Sequence, residues 1–117
     1  MINEQHELMV ERLAKSGAAI LAAMTPATAN LLHHAVGVSG EAGELLGAIK
    51  KVAVYNKPID RENIIEELGD IEFYLAGIRS ALGISRDETL AHNMAKLAKR
   101  YPRGYSNEAA QLRADKQ

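Results

Sequence analysis

An all-α fold, a four-helix bundle that packs into a homo-oligomer, is what this sequence predicts, and three observations carry the expectation. Apolar residues recur at i, i+3, i+4 and i+7 through four successive segments, and no convincing strand pattern interrupts them. Each segment is bounded by residues that cap or break helices. The connections are short, which favours antiparallel neighbours. With 117 residues, 47% hydrophobic and 25% charged, the chain is expected to be one folded domain (1–117), its core at about 28–105 and residues 106–117 a tail.

The first helix is expected over 3–23, with Asn3 as its cap and Met9, Leu13, Ile20 and Met24 at helical spacing, fading near Thr25-Pro26. The second runs over 28–55 on a stripe that includes Leu31, Ala35, Val38, Leu45, Ile49 and Val52, and Asn56-Lys57-Pro58 breaks it. Asp60 caps the third, over 60–82, which aligns Ile64, Leu68, Ile71, Leu75 and Ile78 and stops at Gly83, a natural C′ residue. Ser85-Arg86-Asp87-Glu88 reads as a capping box for the fourth, over 85–101, which ends before Pro102. The tail is poor in apolar residues, with room for a helical turn after Ser106. The apolar stripes exceed what one small protomer can cover, so a homodimer or homotetramer is expected.

Four carboxylates stand out against this frame, in Glu41-Ala-Gly-Glu44 and Glu67-Leu-Gly-Asp70. Each pair is spaced i, i+3, which places both side chains on one helix face. At about 100° per residue, His34, Gly37, Glu41, Glu44 and Ala48 form a file along one edge of the second helix. Asn63, Glu67, Asp70, Tyr74, Gly77 and Ala81 form another on the third. A third file, Thr89, Asn93, Lys96 and Arg100, flanks the fourth helix with the same sense of offset. A bundle can gather the three files into one cleft, where the small residues Gly37, Ala48, Gly77 and Ala81 would leave room for a ligand. A single edge carboxylate is ordinarily a solvated flank. Two repulsive acidic pairs are costly unless a cation offsets them, and hard oxygen donors suit Mg²⁺ or Mn²⁺. Glu66 and Glu72 fall off this face and read as surface. His33 and His34 point about 100° apart and cannot share an ion, and His6 and His92 lack partners, so all four histidines read as structural or exposed. The basic end of the fourth helix also complements the helix dipole.

Other classes are disfavoured. A net charge of −1 supplies no basic field for a nucleic-acid polymer. The absence of cysteine excludes disulfides and thiolate metal sites. Charges at Glu4, Glu7, Glu11 and Arg12 interrupt any signal-like run, and no stretch is apolar enough to span a bilayer, so a cytoplasmic domain without membrane partners is expected. A di-iron carboxylate bundle needs Glu-x-x-His pairs, and no glutamate here has histidine three residues later.

The order Glu41-x-x-Glu44, a gap of 22 residues, then Glu67-x-x-Asp70 resembles the signature of the MazG-like all-α nucleoside triphosphate pyrophosphohydrolases. Leu31-Leu32-His33-His34-Ala35 through Leu45, Ile65 through Ala76, and Asn93-x-x-Lys96-Leu97-x-Lys99-Arg100-Tyr101-Pro102 are similar to that family's segments, the last to its single-domain phage and bacterial members. The resemblance implies cleavage between the α and β phosphates of a nucleoside triphosphate, a deoxy or non-standard one, to the monophosphate and pyrophosphate, in house-cleaning of the nucleotide pool. It implies Mg²⁺ (Mn²⁺ as substitute) on Glu41, Glu44, Glu67 and Asp70, which form the catalytic set. Asn93, Lys96 and Arg100 would meet the substrate phosphates. Some relatives carry a further carboxylate before the first motif glutamate, where this chain has Gly40, so a metal-polarised water or a motif glutamate would have to serve instead. The alternative is a catalytically silent nucleotide-binding or interaction module of the same fold.

Overall fold

The computed structural model describes residues 1–117 and contains helices and turns but no strand: α1 (Ile2–Leu13), α2 (Gly17–Ala23), α3 (Pro26–Ala53), α4 (Arg61–Leu82), α5 (Arg86–Arg100), α6 (Asn107–Leu112) and a 3-10 turn (Ala114–Lys116). There are thus six α-helices where four were expected. The expected first helix is two, because Ala14 leaves helical geometry at ψ 132° and the Ser16 hydroxyl accepts from the Ala19 amide as a new N-cap. Serine caps more readily than it propagates a helix, and glycine follows it. Thr25-Pro26 begins a helix: the Thr25 hydroxyl accepts from the Thr28 amide, the Thr28 hydroxyl accepts from the Thr25 amide, and proline fits the first turn. Asp60, Ser85 and Ser106 cap α4, α5 and α6 through their side chains. Gly83, at φ 68°, closes α4 in the left-handed conformation, and the Ile84 amide donates back to the Arg79 carbonyl.

Helices α3 and α4 form the main packed unit, while α5 packs chiefly on the tail. Facing residues give the register of the α3–α4 pair: Gly37 lies against the Tyr74 ring and Gly77 against the His34 ring. Numbering rises on one helix as it falls on the other, so the pair is an antiparallel hairpin. Side chains at these glycines would collide with the facing rings. The small residues at 37 and 77 therefore do not leave room for a ligand, as the spacing suggested; they admit rings from the opposite helix. His34 Nδ1 donates to the Asn30 carbonyl at 2.8 Å, which fixes its ring in place.

No residue is buried in the single chain. Its radius of gyration is 20.1 Å, against roughly 13 Å for a compact domain of this length. Leu8, Met9, Leu46, Ile65, Phe73 and Met94 are among the large apolar side chains left exposed. The four-helix core anticipated from the stripes is not assembled within one protomer.

Candidate metal centre

The α3–α4 register that seats the two rings also carries the acids. Glu41 stands level with Asp70, and Glu44 with Glu67, continuing the steps set by His34/Gly77 and Gly37/Tyr74. Carboxylate oxygens of Glu41, Glu67 and Asp70 all lie within 4.8 Å of one another. Glu41 and Glu67 are half-buried, whereas Asp70 is exposed at the rim. Glu44 is not part of this triplet, but its charge reaches Glu67. Glu66, one residue from the site, is exposed and outside it.

Glu67 is the centre of the electrostatic strain. Its carboxyl is held above the usual carboxylate range, first by a side-chain hydrogen bond with Glu41, then by desolvation, then by the charges of Glu41, Glu44 and Asp70. Its Oε2 is shut off from solvent and has no hydrogen-bond partner. A shielded oxygen without a donor is costly, and here three further carboxylates crowd it. A divalent cation would satisfy the oxygen and reverse the repulsion. Three carboxylate oxygens within 4.8 Å of one another are near enough for small side-chain rotations to bring them onto one ion. The residues present fit a small, hard, oxygen-ligated ion.

The other sequence-predicted residues lie elsewhere. Asn93, Lys96 and Arg100 are on α5, and no hydrogen bond or ion pair joins them to the acids. Arg100 is engaged by the tail: Nε donates to Asp115 Oδ1 at 2.6 Å and Nη2 to Oδ2 at 3.0 Å. That pair is well shielded, with side chains 17% and 4% exposed. It raises the Arg100 pKa and lowers that of Asp115. The third polar file is thus present, but it does not meet the other two within one chain. Sequence reasoning missed Asp115, which carries no signal because it lies in an apolar-poor tail, fifteen positions from its partner Arg100 on α5.

Among known families, the profile of the MazG nucleotide pyrophosphohydrolase domain matches residues 31–105. The chain belongs to the MazG family. The match takes in α4, α5 and nearly all of α3, hence both acidic pairs of this MazG domain and its basic file. No curated protein and no solved structure gives a significant match. No helix of the MazG chain is long and apolar enough to cross a membrane.

Proposed function

We propose that this MazG-family chain is a Mg²⁺-dependent nucleoside triphosphate pyrophosphohydrolase. The observation that carries the reading is the convergence of Glu41, Glu67 and Asp70 around a shielded, unpartnered Glu67 oxygen, in a chain of a nucleotide pyrophosphohydrolase family. Glu44, one turn along α3, joins the set by rotating its exposed side chain inward. Bound Mg²⁺ would neutralise the triphosphate and lower the pKa of a water aimed at the α-phosphorus. The chain's own part is to align the carboxylates and to accept the proton of the attacking water. No carboxylate stands at Gly40, so Glu41 or Glu44 is assigned that acceptor role. Asn93 and Lys96 would bind phosphate oxygens and offset charge on the departing pyrophosphate. Arg100, held by Asp115 through Nε and Nη2, has its Nη1 donors left to join them.

The active particle in this reading is a homodimer or homotetramer. Its support is the expanded protomer with no buried residue and many exposed apolar side chains. Assembly also offers the route by which α5 of one copy reaches the acids of another.

The deciding experiment is a panel of standard and modified nucleoside triphosphates, with and without Mg²⁺, analysed for products. Monophosphate and pyrophosphate are expected. Orthophosphate with a diphosphate would mean that the wrong bond was assigned. Mg²⁺ and nucleotide binding with no turnover of any substrate would make the chain a binding module instead.

A further inference from the structure

Of the three polar residues Asn93, Lys96 and Arg100 on α5, only Arg100 is held by another side chain. Its partner comes from far along the chain. Asp115 lies in the C-terminal 3-10 turn, beyond residues 31–105 of the MazG match. The chain enters that turn through Arg113, at φ 52° and ψ 57°, a left-handed conformation that side chains disfavour. The resulting pair is well shielded, with side chains 17% and 4% exposed. A shielded ion pair is a poor source of stability, because desolvating two charges cancels much of their attraction. Apolar side chains would dock the tail as well. What the pair does beyond docking is fix a long side chain in one orientation. A guanidinium carries five N–H donors in a rigid plane. Asp115 takes one from Nε and one from Nη2. Three remain, both on Nη1 and one on Nη2, and the edge they share is a second fork matched to two phosphate oxygens.

We propose that Asp115 is a positioning residue for the hydrolase: it locks the Arg100 guanidinium so that the free edge is presented to the triphosphate. The assignment rests on the hydrolase reading and extends it to a segment outside the matched domain. An arginine that clasps an anion ordinarily gives up much rotamer freedom as it does so. Here folding of the tail has already imposed that loss, so the substrate meets an ordered donor. The opposite role is a carboxylate that masks Arg100 and must leave before substrate binds. The two roles differ in sign. Masking sets Asp115 and the triphosphate in competition for one cation. Positioning keeps the pair intact in the complex, with Asp115 on one edge and phosphate on the other. Removing the Asp115 charge would by itself tighten an anion held nearby, so weaker binding after its removal reports lost geometry.

The test uses the full-length protein with Mg²⁺. It measures kcat and KM for a nucleoside triphosphate, and the Kd of the α,β-methylene analogue, which cannot be split at that bond. Asp115→Asn should weaken analogue binding about tenfold and lower kcat/KM by at least as much. Asp115→Glu, which keeps the carboxylate, should recover most of the loss. In an Arg100→Gln background Asp115→Asn should add nothing, because it acts through Arg100. Glu108→Gln removes the same charge from an exposed position of α6 and should match the wild type. In nitrogen-15 spectra the Arg100 Nε–H signal should stay protected when the analogue binds. Tighter binding by Asp115→Asn, or loss of that protection in the complex, would establish masking and overturn the proposal. Unchanged affinity with a protease-sensitive tail would leave Asp115 a tail anchor and overturn it equally. The hydrolase reading fails separately, if the wild type binds the analogue yet releases no pyrophosphate from any triphosphate; the analogue affinities then still decide the role of Asp115. No analogue binding by the wild type would overturn both.

Discussion

Replacing Gly77 by alanine sets two effects against each other. Alanine is favoured over glycine inside a helix by about 1 kcal/mol. At position 77, however, the added methyl would collide with the His34 ring, whose Nδ1 is tethered to the Asn30 carbonyl at 2.8 Å. Relieving the collision means rotating the ring off its bond or spreading α3 from α4, at an overpacking cost of about 1–3 kcal/mol. The net change is a destabilisation of about 0–2 kcal/mol. Gly47→Ala is the internal reference, because nothing lies within 4 Å of a methyl there; it should stabilise by up to about 1 kcal/mol. The propensity term cancels between the two variants, so their difference of about 1–3 kcal/mol isolates the collision. In a His34→Ala background that difference should vanish, a coupling that a double-mutant cycle measures directly. The assay is urea unfolding at one fixed protomer concentration, since assembly contributes to stability. Gly77→Ala should also weaken Mg²⁺ binding, because spreading the helices parts Glu41 from Glu67 and Asp70. If Gly77→Ala and Gly47→Ala stabilise equally in the wild-type background, the helices are not in this close register and the geometry of the acidic triplet falls with it.

Further outcomes follow from the same contacts. Asp70→Asn and Glu44→Gln should lose Mg²⁺ binding and turnover with the circular dichroism spectrum unchanged, whereas Glu66→Gln should match the wild type; equal sensitivity of Glu66 would overturn the helical placement. The raised Glu67 pKa means that the folded state holds its proton more tightly than the unfolded chain does. This group's stabilisation is therefore fully present at low pH and lost as pH rises through the folded value. Glu67→Gln should accordingly raise the metal-free melting temperature at neutral pH, and the gain should shrink in acid. Asp115 has the opposite sign: its lowered pKa stabilises the docked tail above the unfolded value and is lost as pH falls through the folded one. The tail should become protease-sensitive in strong acid, and Asp115→Asn should show that sensitivity at neutral pH. Sedimentation at micromolar concentration should give a dimer or larger; a folded monomer would refute the assembly.

Much of the architecture was legible because it rests on local chemistry. Asp60, Gly83, Ser85 and Ser106 act within one turn of themselves, so the sequence marks the ends of α4, α5 and α6 directly. The break at Ser16 was missed because Met9, Leu13, Ile20 and Met24 keep a helical rhythm across it, and periodicity alone does not register a cap inside the run. The roles of Gly37 and Gly77 were misjudged for a different reason. Spacing shows that a position is small, not whether a neighbour fills the space, and the aromatic rings that do so come from the opposite helix. The acidic triplet was within reach because two i, i+3 pairs on facing helices leave few other registers. Arg100 was not: its commitment to Asp115 depends on how the tail folds back.

The keyed hairpin frees the segment that joins its helices. Ring-into-glycine contacts hold α3 and α4 in step from inside the pair, so residues 54–60 need only span the gap. Lengthening a flexible connection costs about 0.6 kcal/mol per doubling, a small sum beside the helix contacts. Inserted residues, an affinity tag or a whole guest domain should be accommodated there without displacing Glu41 from Asp70. The same insertion placed within α3 between Gly37 and Glu41 would rotate the acids about 100° per residue relative to the rings. Variation in length is therefore expected to be permitted in the turn and forbidden four residues upstream of the first acid.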